Sequence, residues 1–202
     1  MLFTTEGIVI HERSVGENDK YIDVLTKDLG VIEASIKGVK KVTSKNSSST
    51  QLFAYSKLCF AKRGEKYFLN SSEPIKVFYD LRLDLEKFAL ASYFAEIIKF
   101  SVVSEEPSEM VLRLFLNTLH FLTQGKHSIF FLKSIFELRF LTEIGLMPDL
   151  VACKNCMEYS SDKMLFFVSE GYFLCEDCYT SVVNDDIVPI NKAVLHTMRY
   201  II

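Results

Sequence analysis

The stretch Gly30-Val31-Ile32-Glu33-Ala34-Ser35-Ile36-Lys37-Gly38-Val39-Lys40-Lys41 carries two messages in twelve residues. Ile32, Ala34 and Ile36 alternate with Val31, Glu33 and Ser35, the period-two pattern of a strand with one buried face. Lysines follow at once. Upstream, Asp28-Leu29-Gly30 makes a plausible hairpin turn, with Gly30 available for positive φ. Similar runs flank it: Phe3 to Ile10, Tyr21 to Thr26, Leu52 to Ala61 and Tyr67 to Asn70 are rich in β-branched and aromatic residues and bounded by turn residues, Gly16-Glu17-Asn18-Asp19 among them. Five short strands in under eighty residues fit an OB-type Greek-key barrel, and an SH3-like barrel fits almost as well.

Charge is distributed unevenly. The chain of 202 residues has a net charge of −3, yet Ala34 to Gly64 holds Lys37, Lys40, Lys41, Lys45, Lys57, Lys62 and Arg63 with no acidic residue. That segment is +7 and the remainder −10. Screening limits each charge to a reach of roughly 8 Å in physiological salt, so a local cationic surface can attract a polyanion whatever the total. The alternative is a solvated face that keeps a sheet edge soluble. The polar stretch Val42 to Thr50 is expected to be a mobile loop that buries nothing. Lys37, Lys40, Lys41 and Lys45, with Lys57, Lys62, Arg63 and Lys66 on the next hairpin, are the candidate phosphate contacts. Phe53, Tyr55, Phe60 and Tyr67 are candidate stacking platforms, although aromatic residues in strands more often belong to the core.

Beyond Asp80 the period lengthens. Leu81, Leu85, Phe88, Ser92, Ala95 and Lys99 trace one line, which predicts a helix over 80–103. Ser104-Glu105-Glu106-Pro107 reads as the capped, acidic start of a second helix running to Leu122, with Gly125 beyond it. A third is expected from Ser128 to Ile144, stopped by Gly145 and Pro148. Most of the phenylalanine stripe here (Phe115, Phe121, Phe130, Phe131, Phe136, Phe140) should be core, and any excess can form a groove for a partner peptide.

Cys153-x-x-Cys156 and Cys175-x-x-Cys178 are separated by eighteen residues. Two such knuckles can wrap one tetrahedral Zn²⁺ with four thiolates, leaving no open coordination position, which makes the expected ion structural. A thioredoxin-like redox role is the alternative. Cys59, the fifth cysteine, lies in an apolar run and reads as a small buried hydrophobe. His11, His120, His127 and His196 are scattered singly, and no nucleophile elbow, phosphate loop or deaminase signature is present, so an enzyme is not expected. Met1-Leu2-Phe3-Thr4-Thr5-Glu6 lacks a basic leader, and no run approaches the roughly 20 apolar residues of a spanning helix. The expectation is a soluble, cytoplasmic, unanchored protein.

In order and spacing, Gly7-Ile8-Val9-Ile10, Gly16-Glu17-Asn18-Asp19, Leu25-Thr26, Lys37-Gly38-Val39-Lys40-Lys41 with Ser44-Lys45, Leu81-Arg82-Leu83-Asp84, Ala91 to Glu96, Gly145-Leu146-Met147-Pro148 and the four cysteines together resemble the RecO family of bacterial recombination mediator proteins. The resemblance implies an α+β multidomain chain: an N-terminal OB-fold β-barrel over 1–79, an all-α helical domain over 80–148 continuing with 185–202, and a small four-cysteine zinc module over 149–184. It further implies a nucleoid-associated, non-enzymatic repair factor. Such a factor binds single- and double-stranded DNA, anneals complementary strands and, with RecR, helps load RecA onto strands coated by single-strand binding protein, whose C-terminal tail is a ligand. Ser44 joins the basic strand and loop as a DNA contact on this basis. Arginines are commoner in the family's basic loop, and lysine lacks their planar fork, so a marked dependence on ionic strength is expected. Members generally continue past the zinc module with more helix, whereas this chain stops as Val188-Pro189-Ile190 and Ala193 to Ile202 begin one, which suggests a shortened chain. The rival from another class is a zinc-ribbon transcription or assembly factor that binds protein through the helical groove.

Overall fold

A computed structural model describes residues 1–39, 46–180 and 186–202. The chain is α+β and divides into two compact units, Met1–Lys133 and Ser134–Ile202. The first begins with five strands: β1 (Leu2–Val15), β2 (Asp19–Thr26), β3 (Gly30–Ile36), β4 (Ala54–Arg63) and β5 (Lys66–Val77). They hydrogen-bond in the order β1-β2-β3-β5-β4, and β4 pairs back onto β1 to close a barrel. All pairings are antiparallel except the short β3–β5 contact at Ala34↔Tyr67 and Ser35↔Phe68. Val9, Ile22, Val24, Ile32, Ala34, Ile36, Leu58 and Phe60 fill the interior, so the alternation in β3 is the pleat turned inward. Gly30 sits at φ +60 in the β2–β3 turn.

Two strands run longer than their sequence predicts, for different reasons. In β1, Asn-free residues 11–15 are solvent-exposed, so no apolar alternation signals a strand that continues past a register shift at Val9/His11. In β5, Pro74 removes a ladder donor and is accommodated beside the irregularity at Tyr55/Ser56. The expected loop over Val42 to Thr50 is also corrected. Residues 42–45 lie outside the described residues, but Ser48–Thr50 is a 3₁₀ turn in which Ser49 and Thr50 are buried. Burial is tolerated because the hydroxyls are satisfied: Thr50 Oγ1 donates to the Asn46 carbonyl at 2.6 Å, and Ser56 Oγ to the Ser49 carbonyl at 2.9 Å.

The helix predicted over 80–103 is in fact a 3₁₀ turn (Tyr79–Leu83) followed by α1 (Leu85–Ser101). Asp84 separates them, its carboxylate accepting from the backbone N–H groups of Glu86 (3.1 Å) and Lys87 (3.2 Å). Leu85 is therefore a first-turn residue facing water, and the buried face is Ala91, Phe94, Ala95 and Ile98. α2 (Glu109–Gln124) starts after Ser108, not after Ser104, since Pro107 disfavours helical geometry in the residue before it. Gly125 ends it at φ +64. Fully buried Phe53 meets Phe88 and Phe115 edge-on, at 6.0 and 6.3 Å between ring centres, joining β4's approach to α1 and α2.

α3 (Ile129–Glu143) crosses from the first unit into the second. The second unit adds β6 (Lys163–Phe167), β7 (Tyr172–Cys175), β8 (Ile187–Asn191) and α4 (Lys192–Ile201), with the sheet ordered β7-β6-β8. Val188-Pro189-Ile190, expected to begin a helix, is instead the edge strand β8, where the missing N–H of Pro189 is harmless. Asn191 then caps α4 by accepting from Val194 N–H at 2.9 Å. No helix among the described residues is long and apolar enough to cross a membrane.

Candidate functional site

The second unit gathers all four expected cysteines. Cys153 leads the first knuckle, which turns back through Met157 N–H to Cys153 carbonyl at 2.9 Å and uses a left-handed Met157 (φ 63). Cys175 ends β7, and Cys178 closes the 3₁₀ turn Glu176–Cys178. The four Sγ atoms lie within 4.8 Å of one another, and Cys156 and Cys175 are 3.6 Å apart. A tetrahedron of thiolates with bonds of ~2.3 Å has edges of about 3.8 Å, so the spacing suits a small tetrahedral cation such as Zn²⁺. Burial pushes the Cys153 thiol up, but backbone N–H donors from Cys156, Cys175 and Asn155 outweigh it and bring the value down to about 6. Around the thiols the core is small: Leu150, Met164, Phe173 and Leu195. Arg199 closes this unit from α4, donating to the carbonyls of Leu150 (2.6 Å), Val151 (2.7 Å) and Tyr159 (2.9 Å).

In the first unit, a groove of about 820 Å³ runs along the barrel beside the β4–β5 hairpin, lined by Arg13, Tyr21, Glu33, Lys62, Lys66, Tyr67, Phe68 and Glu105 among others. Cations lie against aromatic rings on and beside it. Arg13 stands 5.2 Å from the Tyr21 ring, Lys62 5.1 Å from Tyr67, and Arg63 5.6 Å from Phe68. Cross-strand pairing makes this arrangement, since Arg13 faces Tyr21 and Lys62 faces Tyr67.

Of the candidate phosphate contacts, Lys62 and Lys66 line this groove and Arg63 adjoins it. Lys37 is exposed at the end of β3, away from the groove lining. Lys57 stands between Glu6 on β1 and Glu73 on β5 in the ladder, with an acidic residue on either side. Lys40, Lys41, Ser44 and Lys45 lie outside the described residues. The candidate stacking platforms are largely internal. Phe53 and Phe60 have no exposed surface and Tyr67 retains 7%, because these strand positions point into the barrel or toward the helices. Tyr55 Oη donates to the Glu6 carboxylate, and burial, then that hydrogen bond, raise its pKa to about 12.

Arg13, Tyr21 and Glu105 escape a reading by sequence alone. Arg13 and Tyr21 are eight positions apart, and only the β1–β2 register joins them. Glu105 reads as a first-turn helix acid, yet it belongs to the α1–α2 linker and reaches Lys62 and Tyr67 across the groove.

Two family models match nearly all of the chain: "Recombination protein O N terminal" matches residues 1–78 and "Recombination protein O C terminal" matches 82–202. The chain belongs to the RecO family. A DNA repair protein RecO of Acetivibrio thermocellus is 32% identical over 198 residues, covering 98% of this chain and 78% of the relative. Those of Alkaliphilus metalliredigens and Halalkalibacterium halodurans are each 31% identical over 179 residues, covering 73% and 69% of the relatives and 89% and 88% of this chain. RecO membership assigns the chain to DNA repair and recombination and to a family of non-enzymes. Within that family, the groove and the thiol cluster are the two places here where chemistry is concentrated.

Proposed function

We propose that this RecO-family chain binds single- and double-stranded DNA on its barrel, promotes annealing of complementary strands and, with RecR, helps load RecA onto strands coated by single-strand binding protein. The carrying observation is the groove where Arg13, Lys62 and Lys66 lie beside the half-buried rings of Tyr21 and Phe68, with Arg13 paired to Glu33 at 2.9 Å and Lys62 to Glu105. Cationic side chains beside ring faces suit a sugar-phosphate chain whose bases are free to stack. We read the barrel as OB-type on its β1-β2-β3-β5-β4 order, and Lys37 with the following Lys40, Lys41, Ser44 and Lys45 as an extension of the contact surface.

The mechanism is electrostatic. Cations on the barrel neutralise phosphates of two strands and lower the repulsion between them, while base pairing supplies sequence discrimination. No bond is made or broken. The four thiolates would hold one structural Zn²⁺, which supplies folding energy to a module with a small core and no chemistry to the DNA.

Titration of a labelled single strand from about 50 to 200 mM salt tests the reading. Replacing Lys37, Lys40, Lys41 and Lys66 by Ala should weaken binding to all sequences alike and flatten the slope of log K against log salt by about 0.7 per lost contact. An unchanged slope would refute these contacts. A second reading is favoured by one feature, an exposed apolar groove of about 560 Å³ lined by Leu138, Leu141, Phe166, Val194, Met198 and Ile201. It suits a protein ligand, and a chain that binds no DNA at low salt would make that reading the better one.

A further inference from the structure

Glu105 occupies a place in the groove that its position in the chain does not explain. It sits in the linker between α1 and α2, outside the barrel, and its carboxylate Oε1 accepts from both Lys62 Nζ and Tyr67 Oη, the latter at 3.0 Å. The linker is fastened to the β2–β3 turn. Glu105 N–H donates to the Leu29 carbonyl at 2.9 Å, and Ser108 N–H to the Lys27 carbonyl at 2.9 Å. Lys27 also pairs with Glu109 at 3.3 Å. Glu105 itself is held at φ 68, a left-handed backbone that side-chain-bearing residues rarely adopt. Surrounding bonds thus impose an unfavourable conformation whose result is an anion aimed at a lysine and a phenol.

We propose that Glu105 stands in for a nucleic-acid phosphate, holding Lys62 and Tyr67 in the groove until a strand displaces it. The inference rests on the DNA-binding reading of the groove. An ammonium and a hydroxyl converging on one oxygen are the donors that a phosphate oxygen takes. The contact is exchangeable because it is wet: the Lys62 and Glu105 side chains keep 36% and 59% of their surface exposed. Hydrogen bonding to Glu105 raises the pKa of Lys62, and the same bond lowers that of Glu105, so both partners are charged at neutral pH. Lys66 has no ion-pair partner among the described residues and is open to the first phosphate, whereas Lys62 is released only as Glu105 leaves. Glu105 therefore competes with a bound strand for Lys62 and lowers the affinity of the groove.

The test is Glu105→Gln in the full chain, which removes the charge and keeps an acceptor for Tyr67. Binding of fluorescent oligothymidylate is read by anisotropy between about 50 and 200 mM salt. Affinity at about 50 mM salt should rise about two- to fivefold, because the strand no longer has to break an exposed ion pair to reach Lys62. Lys62→Ala should matter little alone and should abolish the gain in the Glu105→Gln background. Circular dichroism confirms that each variant is folded. An unaltered affinity in Glu105→Gln, or a Lys62→Ala loss equal in both backgrounds, overturns the inference while the DNA-binding reading stands. Failure of the unaltered chain to bind removes both.

Discussion

Replacing Gly30 by Ala should release the α1–α2 linker from the barrel. At φ +60 an alanine costs about 1–2 kcal/mol in backbone strain alone. Its Cβ would also stand 2.1 Å from the Val103 carbonyl oxygen and 3.2 Å from that of Glu106, both of them backbone atoms with no flexible side chain to yield. Restoring van der Waals contact requires the linker to retreat by more than ~1 Å, enough to break its hydrogen bonds to Leu29 and Lys27. Each of those contributes about 0.5–1.5 kcal/mol, so the substitution should destabilise the Met1–Lys133 unit by about 2–5 kcal/mol. Urea unfolding gives the magnitude, and amide hydrogen exchange gives the location, with Glu105 and Ser108 N–H losing protection before the barrel strands do. The release should also mimic Glu105→Gln in the salt titration, because the carboxylate leaves with its backbone. A loss under about 1 kcal/mol, with both amides as protected as before, would refute the steric argument.

Two further outcomes are expected. Purified protein should carry one zinc per chain, and chelation or Cys175→Ser should unfold the segment around Cys153 to Cys178, since four-thiolate zinc sites commonly contribute about 10–16 kcal/mol of binding energy to folding; metal-free protein that keeps its β6–β7 hairpin would contradict this. Asp84 has its pKa lowered chiefly by the backbone N–H of Lys87, so its charge stabilises the start of α1 above the ordinary carboxylate range, and that contribution disappears as pH falls through the lowered value. Asp84→Asn should accordingly flatten the acid limb of the stability profile and leave less difference from the unaltered chain at low pH, as followed by thermal melts at stepped pH.

The parts of the fold legible in the residues are those governed by near neighbours. Ile32, Ala34 and Ile36 announce β3 because a half-buried strand needs every second residue apolar, and Gly30 announces its turn because φ there is positive. Where burial does not follow a simple period, the residues are silent. The exposed tail of β1, the proline-bearing stretches of β5 and β8, and the hydroxyl-lined turn at Ser48–Thr50 take their structure from partners far along the chain. Leu85 illustrates the same limit in a helix, apolar by composition but facing water because Asp84 starts α1 one residue earlier.

By itself the sequence determined the inventory: an alternating barrel strand, three helices with Gly125 ending the second, and two knuckles whose spacing brings four thiols together. Tertiary structure alone decided which charges meet. Lys57 faces Glu6 and Glu73, Arg13 faces Tyr21, and Lys62 meets a carboxylate 43 positions away. Local patterns act over a few bonds and can be read along the chain, whereas electrostatic pairing depends on distance through space, which only strand register and the path of a linker set.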